Sequence, residues 1–342
     1  MLPAVAALTL LAACSGGSSP SQAGGQPSAP AAASAPASAS SSASPAGGPA
    51  SPGLVAVTTG GALVVLHPRT GAVARTLVTG GVVGDEISVA SNGTVYFAVQ
   101  HGCSDTIESV ADTGGTPAAI TTGSLPAVSP DGTKLAYASQ PSLTQGCVPS
   151  NPDLTPLYKL VVRTLASGSQ VSYPMVPKGQ DSGLPAPISH LSWAPDNDHL
   201  AVSIASIQDN EGWNLALVDT AAAKHYLSGG GISYVPATGK PAARRSYLRE
   251  GIYLPNGNLF VSRACCAGVP VHNTSRLMQV VSTTGALMHQ VAIGFATLDH
   301  TSLDVTASGQ WLLYLAGHDL YVSDGGATPR KLTSGLIAAA WR

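Results

Sequence analysis

Charge is what this sequence has least of. Of 342 residues, 16 are Lys or Arg and 18 are Asp or Glu, about 10% where an ordinary soluble domain carries roughly 25%. No Lys/Arg cluster exceeds the pair Arg244-Arg245 and the net charge is −2, so no sequence-independent grip on phosphate backbones is available and nucleic acid is not an expected partner. Aromatics make up only 5%, and no long segment sustains a 3.6-residue apolar period, which argues against a helical bundle. There is no G-x-S-x-G, no phosphate-binding P-loop, no dinucleotide fingerprint and no H-E-x-x-H pair. What the chain does have is 38 Gly and 26 Pro, a composition of turns and small side chains.

The first 52 residues carry no charge, so all 34 charged residues fall in the other 290, where they make up about 12%. Met1 to Ala13 (MLPAVAALTLLAA) is apolar but shorter than the roughly 20 residues a membrane-spanning helix needs, and reads as a secretion signal over 1–13. Leu11-Ala12-Ala13-Cys14 resembles the lipobox of bacterial lipoproteins. That resemblance implies cleavage before Cys14, diacylglyceryl on its sulfur, and anchorage at the extracytoplasmic face of the cell membrane. No Lys or Arg precedes Cys14, so the usual positive n-region would lie upstream of Met1. Residues 14–52 then form a lipidated Cys and a tether of Ser, Ala, Pro, Gly and Gln, without the apolar bulk needed to offset the entropy of ordering. This arrangement is similar to that of surface lipoproteins of GC-rich actinobacteria.

Residues 53–342 read as all-β. Short apolar runs are separated by Gly, Pro, Asp and Asn, and one phrase recurs: a strand, a tight turn and a second apolar strand. It appears at Ile87 to Val99, Ala127 to Ser139, Leu191 to Ser203, Ile252 to Ser262 and Leu303 to Leu315, with Asn-Gly, Asp-Gly, Asp-Asn or Ser-Gly in the turn. A third and a more polar fourth strand follow each copy, for example Trp213 to Asp219, or Leu157 to Thr164 and then Gln170 to Tyr173. Four antiparallel strands recurring at this spacing predict propeller blades. Five are complete; Leu336 to Trp341 with Leu54 to Thr58, Ala62 to Leu66 and Val73 to Val78 supplies a sixth. The fold predicted is therefore a six-bladed β-propeller of four-stranded blades, closed by pairing of its N- and C-terminal strands.

Ser129-Pro-Asp-Gly-Thr-Lys-Leu-Ala-Tyr137, echoed by Trp193-Ala-Pro-Asp196, resembles the repeat of TolB-like and WD-repeat-like six-bladed propellers. The resemblance covers about 53–342. Propellers of this type serve as partner-binding scaffolds, as enzymes and as regulatory domains of peptidases. In Gram-negative TolB the propeller follows an α/β domain, where this sequence has the tether.

Counting back six or seven residues from each hairpin turn reaches the start of the innermost strand, beside the central channel. Asp85, Glu86, His190, Arg249, Glu250 and, one residue earlier, His300 fall there and are the candidate ligand-binding residues of a channel mouth. No resident cofactor is called for, although a divalent cation in the channel fits these residue types. Of the five Cys, Cys14 is assigned to the lipid, and the other four are expected to form disulfides in an exported protein. Cys103 and Cys147 follow the second strands of neighbouring blades and are the preferred pair. Cys265 and Cys266 would then form a vicinal bridge, pair elsewhere or stay free; a metal site with His272 lacks the C-x-x-C spacing. Two long stretches, Ser139 to Thr155 and Gly229 to Ser246, exceed what hairpins need and suit binding loops.

The sequence supports two principal readings of function. In the first, a monomeric, membrane-anchored propeller binds a protein, peptide or envelope glycan and needs no catalytic residues. In the second, a propeller enzyme of the lactonase or glycan-hydrolase kind requires Glu86, His190 and Glu250 to converge on one point. A third, a sensor domain, would be encoded beside a signalling or transport partner.

Overall fold

A computed structural model describes residues 53–141, 147, 159–174, 187–205, 213–222, 226–227, 231–236, 246–265, 277–291, 300–324 and 328–342. Among them every regular element is a strand, and the strands form six sheets.

Blade 1 combines β1 (Leu54–Thr58), β2 (Leu63–Leu66) and β3 (Val73–Val78) with the last strand of the chain. Blade 2 contains β4 (Val82–Val89), β5 (Thr94–His101), β6 (Ser104–Ala111) and β7 (Ala118–Thr122). Blade 3 contains β8 (Ser124–Val128), β9 (Lys134–Ser139), β10 (Lys159–Thr164) and β11 (Gln170–Pro174). Blade 4 contains β12 (Ile188–Trp193), β13 (His199–Ala205), β14 (Trp213–Asp219), β15 (Tyr226–Leu227) and β16 (Gly231–Tyr234). Blade 5 is β17 (Ser246–Tyr253), β18 (Leu259–Cys265), β19 (Leu277–Val281) and β20 (Leu287–Val291). Blade 6 is β21 (His300–Val305), β22 (Leu312–Ala316), β23 (Asp319–Ser323) and β24 (Arg330–Ser334), after which β25 (Leu336–Trp341) returns to blade 1.

The order β25-β1-β2-β3 closes the ring as the sequence pattern predicts. Leu54 pairs with Trp341 and Ala56 with Ala339, and Arg342 N donates to Gly53 O at 2.8 Å. One departure is local. Blade 4 has a fifth strand, because β15 lies outside β16 and runs parallel to it, a pairing that the chain's excursion between β14 and β16 permits.

The apolar residues form six clusters, one at each junction between neighbouring blades. Val55, Leu63, Phe97 and Ile87 meet between blades 1 and 2, for example, and Leu160, Ile188, Leu200 and Trp193 between blades 3 and 4. Each sheet is thus covered on both faces. This is why the second strands read as continuous apolar runs, such as the fully buried Leu312–Ala316, rather than as an alternation. Each fully buried Leu, Val or Phe contributes about 1.5–3 kcal/mol. The outermost strands face solvent, as in Val73–Val78 and Ala118–Thr122.

The hairpin turns share one geometry. Gly93, Gly132, Gly257 and Gly309 occupy the same turn position with φ of 83°, 71°, 80° and 72°, a region that costs an L side chain energy. Blade 4 has Asn197 there at φ 64°, and its side chain accepts from Asp131 N at 3.0 Å, so the substitution also ties the turns of blades 3 and 4 together. Lys134 reinforces this contact through Asn197 O at 2.9 Å and Asp198 Oδ1 at 3.0 Å.

Candidate functional site

The innermost strand of a blade is hydrogen-bonded on one side only, so half its backbone groups face the channel and need partners. In β4, β8, β12, β17 and β21 the register also slips just before the hairpin, between Val83 and Ser88, Ser124 and Ala127, Ile188 and His190, Leu248 and Glu250, and Thr301 and Asp304. These bulges re-aim the side chains they carry. Glu86, Leu125, His190, Glu250 and Ser302 occupy the equivalent position in the five blades, with Leu125 and Ser302 in the left-handed region at φ 55° and 51°.

Three of these side chains converge. His190 Nδ1 lies 3.2 Å from Glu250 Oε1 and 3.7 Å from Glu86 Oε1. Both Glu86 oxygens accept from Leu191 N at 3.2 Å, and Glu250 Oε1 accepts from Leu303 N at 3.2 Å. The carboxylates therefore cap inward-facing amides of other blades, and Glu86 of blade 2 reaches blade 4. A wet channel mouth was expected here; instead Glu86 is 7% exposed and His190 and Glu250 are each 6% exposed, so the cluster lies inside the disc. Burial pushes the His190 pKa down to about 4, overriding the two carboxylates, so the ring is neutral at neutral pH. Its proton then sits on Nδ1, facing the carboxylates, and Nε2 is a buried acceptor without a partner among the described residues.

Two residues nearer the turn, a second set of polar groups joins alternate blade junctions. Ser88 Oγ accepts from Val128 N at 2.9 Å, and Ser192 Oγ from Tyr253 N at 3.1 Å. Asp304 Oδ2 accepts from Trp341 N at 2.6 Å, and Oδ1 from Val305 N at 2.7 Å. Enclosure raises the Asp304 pKa to about 7 against the pull of these two amides, although part of the side chain opens onto the channel.

Above the cluster a cavity of about 690 Å³ runs to the hairpin-turn face. Glu86, His190 and Ser302 stand at its inner end, Ser88, Ser192, Ile252 and Asp304 along its wall, and Ser91, Pro130, Pro195, Pro255, Ser308 and Arg342 at its rim. Among the described residues the lining reaches inward as far as Glu86, His190 and Ser302. Arg342 is engaged by the buried Asp112 carboxylate, and Arg75 donates to Asp112 O at 3.0 Å. A second, more open cavity of about 730 Å³ between blades 4 and 5 is bordered by Asp196, His199, Asp219 and Thr284, with His199 Nδ1 2.7 Å from Asp196 Oδ2.

The other candidates separate. Asp85, Arg249 and His300 lie on β4, β17 and β21, but their side chains fall outside the described residues, as do Cys14, Cys266 and the Cys265 side chain. Most of Ser139 to Thr155 and, within Gly229 to Ser246, residues 229–230 and 237–245 also fall outside them. Cys103 and Cys147 are joined, with an S–S distance of 2.03 Å, and each follows the second strand of its blade, 2 and 3 respectively. Among the described residues no group of three or more His, Cys, Asp or Glu is set to hold a metal ion. Sequence reasoning missed Ser88, Ser192 and Asp304. The signal was present as the polar residue two positions after Glu86, His190 and Ser302, the strand repeat that keeps a side chain on the same face.

This architecture is that of the six-bladed β-propellers. Among solved structures, TolB from Acinetobacter baumannii is similar at a TM-score of 0.53 and 12% identity, covering 84% of this chain and 65% of that one. Hydrazine synthase from Kuenenia stuttgartiensis is similar at 0.50 and 12%, covering 79% and 76%. A putative 6-phosphogluconolactonase from Bacteroides fragilis follows at 0.46 and 12%, covering 85% and 97%. This chain thus spans about two thirds of the TolB structure, and at such identities the likeness is one of fold alone. No protein-family model matches the sequence, and a search of curated proteins finds no match.

Proposed function

We propose that this chain is a lipid-anchored extracytoplasmic binding module, held on the membrane through acylated Cys14 and a tether over 14–52, whose propeller receives part of a protein, peptide or envelope glycan at the hairpin-turn face. The observation that carries the reading is the channel cavity, which opens on that face, while Glu86 at its inner end and Glu250 behind His190 are committed to backbone amides. A site of that kind can hold a group; its buried carboxylates are poorly placed to attack one.

Crosslinked pull-down from membranes of the native host, comparing wild type with Ser91→Trp, tests this. Ser91 is an exposed turn residue at the rim, so the indole obstructs the channel without entering the core. A specific partner captured by wild type and lost with Ser91→Trp supports the reading; capture of none by wild type overturns it. Cys14→Ser is expected to move the protein to the soluble fraction, and unchanged sedimentation refutes the anchor. One observation favours the enzymatic alternative of lactonase or glycan-hydrolase type: the Asp304 carboxyl, with its pKa near 7, suits proton transfer at neutral pH. Hydrolysis of lactone or glycoside substrates that Asp304→Asn abolishes would establish it.

A further inference from the structure

Among the described residues, carboxylates are the charged groups inside the channel, and the ligand class they select deepens the binding reading and rests on it. From the inner strands, β4 presents Glu86 and Ser88, β12 His190 and Ser192, β21 Ser302 and Asp304, and β25 Ala339 and Ala340, while Glu250 of β17 lies against His190. Ala127 of β8 and Ile252 of β17 complete the wall. Three carboxylates thus stand at or behind the wall. Among the described residues the cationic side chain on the lining is Arg342 at the rim, and it is taken by Asp112.

Asp304 is the carboxylate with surface open to the channel, and each of its oxygens keeps a lone pair after accepting one amide. Those amide N–H groups satisfy its hydrogen bonding but carry no counter-charge, and an enclosed charge is costly until one arrives. An independent observation comes from His190. It lines the same cavity, is more than nine-tenths buried, and its Nε2 has no partner among the described residues, so the inner end holds an unfilled acceptor.

We propose that the channel is a receptor for a primary ammonium group on a slender, otherwise uncharged stem, with the ammonium against Asp304 and the methylenes along Ala127, Ile252 and Ala340. An ammonium fits better than the other cations. A guanidinium is a wide planar fork, whereas an ammonium is a compact point charge on a slender stem that the remaining lone pairs of Asp304 can meet. For a divalent metal, no group of three or more His, Cys, Asp or Glu is set to hold the ion among the described residues. The stem could belong to a peptide, as an N-terminus or a lysine side chain, or to a free aliphatic amine.

Isothermal titration calorimetry of the full-length chain at pH 8 tests this with n-butylammonium chloride, 1-butanol as the neutral isostere, tetramethylammonium as a cation without N–H donors, and calcium chloride. Saturable binding of n-butylammonium is expected, with 1-butanol and tetramethylammonium weaker by about tenfold or more, as loss of a charge-assisted hydrogen bond implies. Asp304→Asn, folded by circular dichroism, should weaken it by a similar factor. Ser91→Lys, which tethers a competing ammonium at the rim on an exposed turn, should also weaken it and serves if Asp304→Asn does not fold. No saturable binding, equal binding of 1-butanol, displacement by calcium, or unchanged affinity in both variants overturns the proposal. A lysine-free heptapeptide that binds more tightly than its N-acetylated twin assigns the source to a chain terminus; n-butylammonium outcompeting that peptide assigns it to a small amine. A partner captured through the Ser91-sensitive face without any amine binding would overturn this inference alone and leave the binding module standing.

Discussion

Glu86 and His190 belong to blades that are not neighbours, yet they lie 3.7 Å apart, because both Glu86 oxygens reach across to cap Leu191 N, the amide next to His190. Glu86→Ala removes the acceptor from a buried amide and is expected to cost about 1–3 kcal/mol beyond the packing it loses. Glu86→Gln keeps an oxygen in place and should cost distinctly less. Urea unfolding of the two variants checks this, and equal losses would show that the capping bond contributes nothing.

His190 and Asp304 give opposite pH dependences. The native pKa of His190 is depressed from 6.5 to about 4, so between those values the unfolded chain binds the extra proton; its contribution is lost in acid and grows as pH rises to 6.5. The native pKa of Asp304 is raised from 3.8 to about 7, so its contribution is full below about pH 4 and is lost as pH rises to 7. In the wild type the two slopes oppose each other. His190→Gln should therefore lose stability steadily from pH 4 to 7, whereas Asp304→Asn should gain it from pH 4 to 6.5. Urea midpoints across this range test the assignment, and parallel curves for the two variants would refute it.

The Cys103–Cys147 bridge closes a 44-residue separation and joins two blades. Constraining a loop of that size in the unfolded chain is worth about 4 kcal/mol on chain entropy, and measured values more often fall near 2–4 kcal/mol. The double variant Cys103→Ser/Cys147→Ser should lose that much by denaturant unfolding, and wild type in excess reductant should match it. A reductant effect that persists in the double variant would place the stabilising bond elsewhere.

Trp341 closes the ring. It pairs with Leu54, is 5% exposed in the cluster between blades 6 and 1, and its amide is held by Asp304. Trp341→Ala should cost about 3–5 kcal/mol through the cavity it leaves. Trp341→Phe should recover a large part of this. Limited proteolysis should then cut the alanine variant first near the junction of β25 and β1; unaltered cleavage would mean the ring does not depend on this contact.

The local chemistry of the sequence sufficed for the blades. Gly93, Gly132, Gly257 and Gly309 mark turns that only a residue tolerant of positive φ can make, and Asn197 is the one L side chain to take the same role. The apolar runs are long enough for two-sided burial, and the leftover strand at Leu336 had no partner except Leu54, so ring closure too was written in one dimension. The site was only half legible. Counting back from the turns found Glu86, His190 and Glu250 but placed them at an open mouth, because strand periodicity fixes which face a residue takes and is silent on how far a register slip carries it inward. The bulges, the cross-channel reach of Glu86 to Leu191 and the pairing of Asp304 with Trp341 arise only when six blades close and their unpaired inner edges must find acceptors in one another. Repetition along the chain determined the propeller; the closed ring decided that Glu86, His190 and Glu250 would be buried among its inner strands, where low dielectric strengthens the contacts between them.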